Sequence, residues 1–188
     1  MADPIIALQD VKDELDIDSG DTAWDTRLSS LISDVIGEAE TEMEAKLEAV
    51  AGSICYLDGG VSQIFLPHLN VTAVVLIEDV ERVFAGDPVD AGNYTLNTPR
   101  GVIKKDNGIF HPGKQVIKAT YTGGYTQATL PRDLKRALII HTAYRWRRRK
   151  DPGLTAVVYP DGSVNRYSQD EWLPNVKSIL QRHGRIFL

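Results

Sequence analysis

The stretch Gln115-Val116-Ile117-Lys118-Ala119-Thr120-Tyr121-Thr122-Gly123-Gly124-Tyr125, followed by Thr129-Leu130-Pro131-Arg132-Asp133-Leu134, changes its period halfway along. Its first part is rich in β-branched and aromatic residues, which predicts a short strand over 115–122. Gly123-Gly124 supplies a turn that redirects strand into helix. Pro131 suits the start of a helix, and Leu134, Ala137, Leu138, Ile140, His141, Tyr144 and Trp146 follow at helical spacing until Asp151-Pro152-Gly153.

Working outward from this junction, the residues before it repeat the first texture. Short β-branched and aromatic runs lie near 54–57, 62–66, 72–78, 81–84, 94–97 and 101–104, broken by turns such as Asp58-Gly59-Gly60 and Thr98-Pro99-Arg100-Gly101. Seven short strands without a helical crossover predict an antiparallel sandwich or small barrel and disfavour a parallel α/β fold. Earlier still, Trp24, Leu28, Leu31, Ile32, Val35, Ile36, Ala39, Met43, Leu47 and Val50 recur in steps of three and four, predicting one long amphipathic helix stopped at Gly52. Leu8, Val11, Lys12 and Leu15 predict a shorter helix before it, ended at Ser19-Gly20.

After Gly153, Val157-Val158-Tyr159 and Val164 to Tyr167 flank Pro160-Asp161-Gly162 as a hairpin would. Pro174 opens a last helix bearing Val176, Ile179 and Leu180, closed by Gly184. The expected class is therefore α+β, a helical bundle made from the two ends with an inserted antiparallel β-sandwich or small barrel. Its expected parts are a bundle over 1–52 and 126–150, a β-rich insertion over 53–125, and a C-terminal arm over 151–188.

Composition is that of a folded globular chain of 188 residues, with neither a secretory leader nor an apolar run of membrane-spanning length, so a cytosolic setting is expected. The single cysteine, Cys55, reads as a small buried hydrophobe. The net charge of -5 hides an asymmetry: residues 1–50 carry fourteen acids against Lys12, Arg27 and Lys46, whereas 132–150 carry eight bases against Asp133 alone. Oppositely charged ends suit a subunit that meets unlike neighbours.

A search for chemistry yields little. His68, His111, His141 and His183 are scattered, Gly123-Gly124 is not followed by Gly-Lys-Ser/Thr, and the helical acids lack the burial that tunes a carboxylate for catalysis. No catalytic, metal or cofactor role is assigned. Three features have two readings each. The acidic helix face, with Asp34, Glu38, Glu42 and Glu48, is either solvated or turned toward something it repels. Arg145, Arg147, Arg148, Arg149 and Lys150 either grip nucleic acid or stabilise a helix end and meet acidic protein surfaces. Trp172, Leu173, Ile179, Leu180, Phe187 and Leu188 either dock on their own domain or grip a partner.

Taken in order, Leu8 to Asp21, Leu28 to Ile32, Phe65-Leu66-Pro67, Val71, Asp90 to Leu96, Val116 to Tyr125 and Leu130-Pro131-Arg132-Asp133-Leu134 resemble the head-to-tail connector, or adaptor, proteins of tailed bacteriophages. Two departures stand out: Asn70 where a proline often precedes the valine, and the unusually basic 145–150. The resemblance implies a non-enzymatic ring, typically of twelve copies, at the virion neck beneath the portal protein, assembled in the host cytoplasm, with double-stranded DNA passing through without sequence recognition. It implies that the long helix and the 134–146 helix pack at subunit interfaces, that Asp34, Glu38, Glu42 and Glu48 line the channel, and that the arm joins the portal. On this reading, removing 168–188 should leave a folded chain that no longer attaches. A DNA-binding module built on Arg145 to Lys150 and another neck component, such as a stopper or tail-completion protein, are the alternatives.

Overall fold

The computed structural model describes residues 4–149, 156–158, 164–166 and 172–185. They form two compact units, one over 44–129 and one from 4–43 together with the chain beyond 129. The class is α+β: helices come from both ends and two small antiparallel sheets lie between them.

The helical unit contains α1 (Leu8–Glu14), α2 (Asp25–Glu42), α3 (Arg132–Arg147) and α4 (Pro174–His183). Leu28, Ile32, Val35, Ile36 and Ala39 form the buried stripe of α2. Leu134, Ala137, Leu138, His141, Thr142 and Trp146 are buried on α3, against which α1, α2 and α4 all pack. The apolar stripes expected at subunit interfaces are thus the core of a single chain. Each fully buried Leu or Ile contributes about 1.5–3 kcal/mol, which exposure at a ring surface would forfeit.

Lys12 is an unusual part of this core, only 3% exposed. Its ammonium pairs with Asp25 at 2.5 Å and donates to the Asp21 carbonyl at 2.8 Å, so it ties α1 to the start of α2. Charge binds the helices elsewhere too: Lys135 pairs with Asp10 at 2.7 Å and Arg136 with Glu14 at 2.6 Å. Much of the charge asymmetry is therefore satisfied within the chain, basic α3 against acidic α1 and α2, before any neighbour is met.

The helix expected to reach Val50 ends at Glu42. Glu44 takes a left-handed φ of 53°, and the following backbone bonds to other segments: the Lys46 N–H donates to the Pro67 carbonyl and the Leu47 carbonyl accepts from the Tyr125 N–H. Glu48 consequently lies on no helix, but on the approach to a strand.

In the β unit, β1 (Val50–Leu57), β6 (Ile117–Gly123) and β3 (Ala73–Glu78) form one sheet in the order β1-β6-β3, while β2 (Gln63–Phe65), β5 (Val102–Lys105) and β4 (Tyr94–Asn97) form another in the order β2-β5-β4. The pairings between these strands are antiparallel. Ile64, Leu66, Leu76, Ile103, Phe110, Ile117, Ala119 and Tyr121 make the shared core. In β6, inward Ile117, Ala119 and Tyr121 alternate with outward Lys118, Thr120 and Thr122. Cys55 packs partly buried against the core, and burial pushes its thiol up to about 11.

The strand expected at 81–84 is absent. Asp79 accepts the Glu81 N–H at 2.9 Å and the Phe84 N–H at 2.6 Å, closing a turn in place of a ladder. The double glycine serves close packing as well as turning: at Gly124, with φ of 89°, an added Cβ would lie 2.1 Å from the Glu48 carbonyl oxygen. Farther along, β7 (Ala156–Val158) pairs antiparallel with β8 (Val164–Arg166), as the hairpin reading anticipates.

Candidate functional site

The feature of the helical unit with most chemical character is a groove of about 340 Å³ lined by Arg27, Ser30, Leu31 and Asp34 of α2 and by Arg145, Trp146 and Arg149 at the end of α3. The α2 residues share one face because they are three or four positions apart. Trp146 is buried and meets Trp24 edge to face at 5.7 Å. The Arg149 guanidinium lies 3.9 Å from the Trp146 ring centre and 5.5 Å from that of Trp24, while donating to the Trp146 carbonyl at 2.8 Å. Such stacking fixes an arginine at low entropic cost while leaving its outer edge free for a planar anion.

The basic cluster is not one continuous strip. Arg145 pairs with Glu38 at 2.5 Å. Arg147 donates to the Glu14 carbonyl at 3.0 Å, and Arg148 donates to the Tyr144 hydroxyl at 2.6 Å and lies over that ring. Lys150 lies outside the described residues. Among the expected channel acids, Glu38 is thus committed to Arg145 and Glu42 faces Lys177 at 4.0 Å. Asp34 is exposed in the groove beside Arg27, which sequence reasoning had not selected. A lone arginine in an acidic segment gave no signal; its spacing of seven from Asp34 could have placed both on one face.

The apolar residues expected to grip a partner divide. Trp172 and Leu180 are buried within the helical unit, Leu173 and Ile179 are half-buried, and Phe187 and Leu188 lie outside the described residues. Trp172 stacks on His141 at 4.2 Å between ring centres. His141 is fully buried, and neither ring nitrogen has a hydrogen-bond partner among the described residues. Burial first, then the Arg145 charge, lowers its pKa to about 4 against the opposing pull of Glu38. It is a neutral packing group. His183 bonds to Asp133 at 2.8 Å, joining α4 to the first turn of α3 and holding that carboxyl below its ordinary range. Truncation from residue 168 would therefore remove part of the core, so the expectation of a folded but detached chain does not suit this architecture.

His68 is engaged with the Tyr121 hydroxyl at 2.8 Å in the β unit. Asn70 has φ of 49°, a value the proline ring forbids and asparagine tolerates, and its side-chain amide donates to the Gly124 carbonyl at 3.0 Å. The departure from the adaptor pattern thus has a local cause in this backbone.

No family model matches the chain, and no curated protein matches it. Solved structures do. A chain in the neck of an empty gene transfer agent (GTA) particle, computed with C6 symmetry, has a TM-score of 0.63 at 21% identity, covering 98% of this chain and 91% of that one. A chain in the virion of the native GTA particle gives 0.58 at 21% identity, covering 100% and 94%. A chain in the neck of the native GTA particle, computed with C12 symmetry, gives 0.57 at 20% identity, covering 100% and 97%. The chain shares the fold of these particle components from end to end.

Proposed function

We propose that this chain is a structural, non-enzymatic protein of the neck of a phage-like particle, in which its copies form a ring adaptor between portal and tail. One observation carries the reading: the likeness to chains of GTA particles, two of them described as necks, runs through both units rather than through one common module. A ring of twelve copies obeys both the C6 and the C12 symmetry given for those necks. Its partners are copies of itself, the portal protein, a stopper or tail-completion protein, and the double-stranded DNA that passes through.

The surfaces fit these partners unequally. Exposed Arg147 and Arg149, with Leu173, Ile179 and the C-terminal Phe187 and Leu188, are the candidates for the portal contact. Of the four acids, Asp34 best suits a wall that lets phosphates slide past, being exposed and without an ion pair among the described residues. The DNA-binding alternative is weakened by the engagement of Arg145, Arg147, Arg148 and Arg149 with groups of their own chain.

Electron microscopy of purified particles tests the proposal. The expected result is a ring of this chain between head and tail, lost from particles made without it. A neck free of the chain would sink it, as would salt-sensitive binding of isolated protein to free duplex that vanishes on replacing Arg147, Arg148 and Arg149.

A further inference from the structure

A closed ring of identical chains needs a contact between two unlike surfaces on successive copies. The helical stripes are unavailable for it, because they form the core of their own unit. The outward face of the β1-β6-β3 sheet is different. Register aligns Ile54, Thr120 and Val75 across the three strands, and Tyr56, Lys118 and Ile77 across the next outward row. Ile54 is 53% exposed, Tyr56 51% and Val75 48%.

The turn between β3 and β4 extends this face. Val83, at 69% exposed, joins Tyr56, Arg82, Phe84, Gln115 and Lys118 around a hollow of about 330 Å³. Tyr56 and Phe84 are in ring contact at 5.2 Å. Arg82, Phe84 and Gln115 all have positive φ, at 60°, 53° and 54°. Three such residues around one hollow are costly, and their strain is sustained by Asp79, which holds the turn, and by Asp58, whose carboxylate accepts the Gln115 N–H at 2.8 Å. The surface is thus preorganised, with apolar groups between two cations that have no ion pair among the described residues.

We infer that this sheet face is the contact for a second copy of the chain in the ring. The inference rests on the neck-ring reading above. Charge complementarity selects the occupant: Arg82 and Lys118 call for carboxylates, and the chain, with net charge -5, has exposed Asp16 on its helical unit without a side-chain partner among the described residues. With strands about 4.8 Å apart and rising about 3.3 Å per residue, the sheet offers a flat area of roughly 200–300 Å². That is about a third of the ~800 Å² per partner usual in a stable contact, so it forms the apolar centre of a larger interface.

Thiol labelling tests this in assembled material. In Val83→Cys, the introduced thiol is exposed, whereas native Cys55 is half-buried and resists ionisation. A maleimide should label the free folded chain fully at position 83. In rings on portal-bearing heads without tail components, labelling should fall at least tenfold and return on denaturation. Rings seen by microscopy with position 83 still reactive would overturn the inference while sparing the neck reading. Protection only after the tail components join would also overturn it, by assigning the face to another protein. Absence of any ring of the unsubstituted chain would remove both. Should Val83→Cys itself block assembly, Val75→Cys on the same sheet face is read by the same criteria.

Discussion

His141 offers a direct test of the helical unit through pH. The folded chain holds this imidazole neutral down to about 4, whereas an ordinary histidine protonates near 6.5. As pH falls below 6.5, the unfolded chain takes up a proton that the folded chain refuses, so stability present above that pH is lost progressively toward pH 4. Two-state linkage gives a loss of about 2 kcal/mol at pH 5 and about 3 kcal/mol at pH 4, relative to pH 8. Replacing His141 with leucine, which is of similar volume and does not titrate, should remove that part of the acid sensitivity. At pH 8 the variant should lie within about 1 kcal/mol of the parent, because losing the Trp172 stack offsets the removal of two unpartnered ring nitrogens. Urea unfolding of both proteins at pH 8 and pH 5 measures the difference, and the comparison cancels the other three histidines. Asp133 titrates below its ordinary 3.8, beneath this window. Equal losses in parent and variant would refute the assignment of His141 as a buried neutral group.

Lys12→Met should lower stability by about 2–3 kcal/mol in thermal unfolding, because it leaves Asp25 without its cation and the Asp21 carbonyl without its donor. Gly124→Ala should cost at least about 2 kcal/mol, since a left-handed backbone and a Cβ 2.1 Å from a carbonyl oxygen are both unfavourable; Gly37→Ala, in α2 with nothing within 4 Å, should instead add about 1 kcal/mol, and chemical denaturation distinguishes the two. Ending the chain before Trp172 should abolish a cooperative helical transition in its circular-dichroism melt, because buried Trp172, Val176 and Leu180 contribute about 6 kcal/mol together.

The alternation and helical periods made the α+β order legible because burial follows period wherever a segment packs against only one face. The misreadings lie where a distant backbone intervened. Met43 to Val50 retains good helix formers and helical spacing, yet contacts at Lys46, Leu47 and Glu48 with segments some twenty to eighty residues away draw it out of the helix. Val83 and Phe84 have the composition of a strand, but Asp79 competes for the local N–H groups and wins. The groove was half legible: the arginines were visible as a cluster, while Trp24, Arg27 and Asp34 reach the same place only after α2 and α3 pack.

The destination of charge separates an internal scaffold from a nucleic-acid clamp. A surface that binds duplex by counterion release needs cations free to meet phosphates, and its affinity falls steeply with salt in proportion to their number. Of the eight bases in 132–150, Lys135, Arg136 and Arg145 already pair with Asp10, Glu14 and Glu38. Arg148 and Arg149 lie against the rings of Tyr144 and Trp146. A duplex would have to compete with these partners, and in the groove it would also meet Asp34. The same arrangement serves a ring subunit well, because acidic and basic helices cross-link each other and leave only selected ends, such as Arg149 on its tryptophans, to read a protein neighbour. The arginines after Tyr144 are therefore better explained by groups of their own chain, Glu38 for Arg145, the Glu14 carbonyl for Arg147 and aromatic rings for Arg148 and Arg149, than by the DNA that a neck would carry.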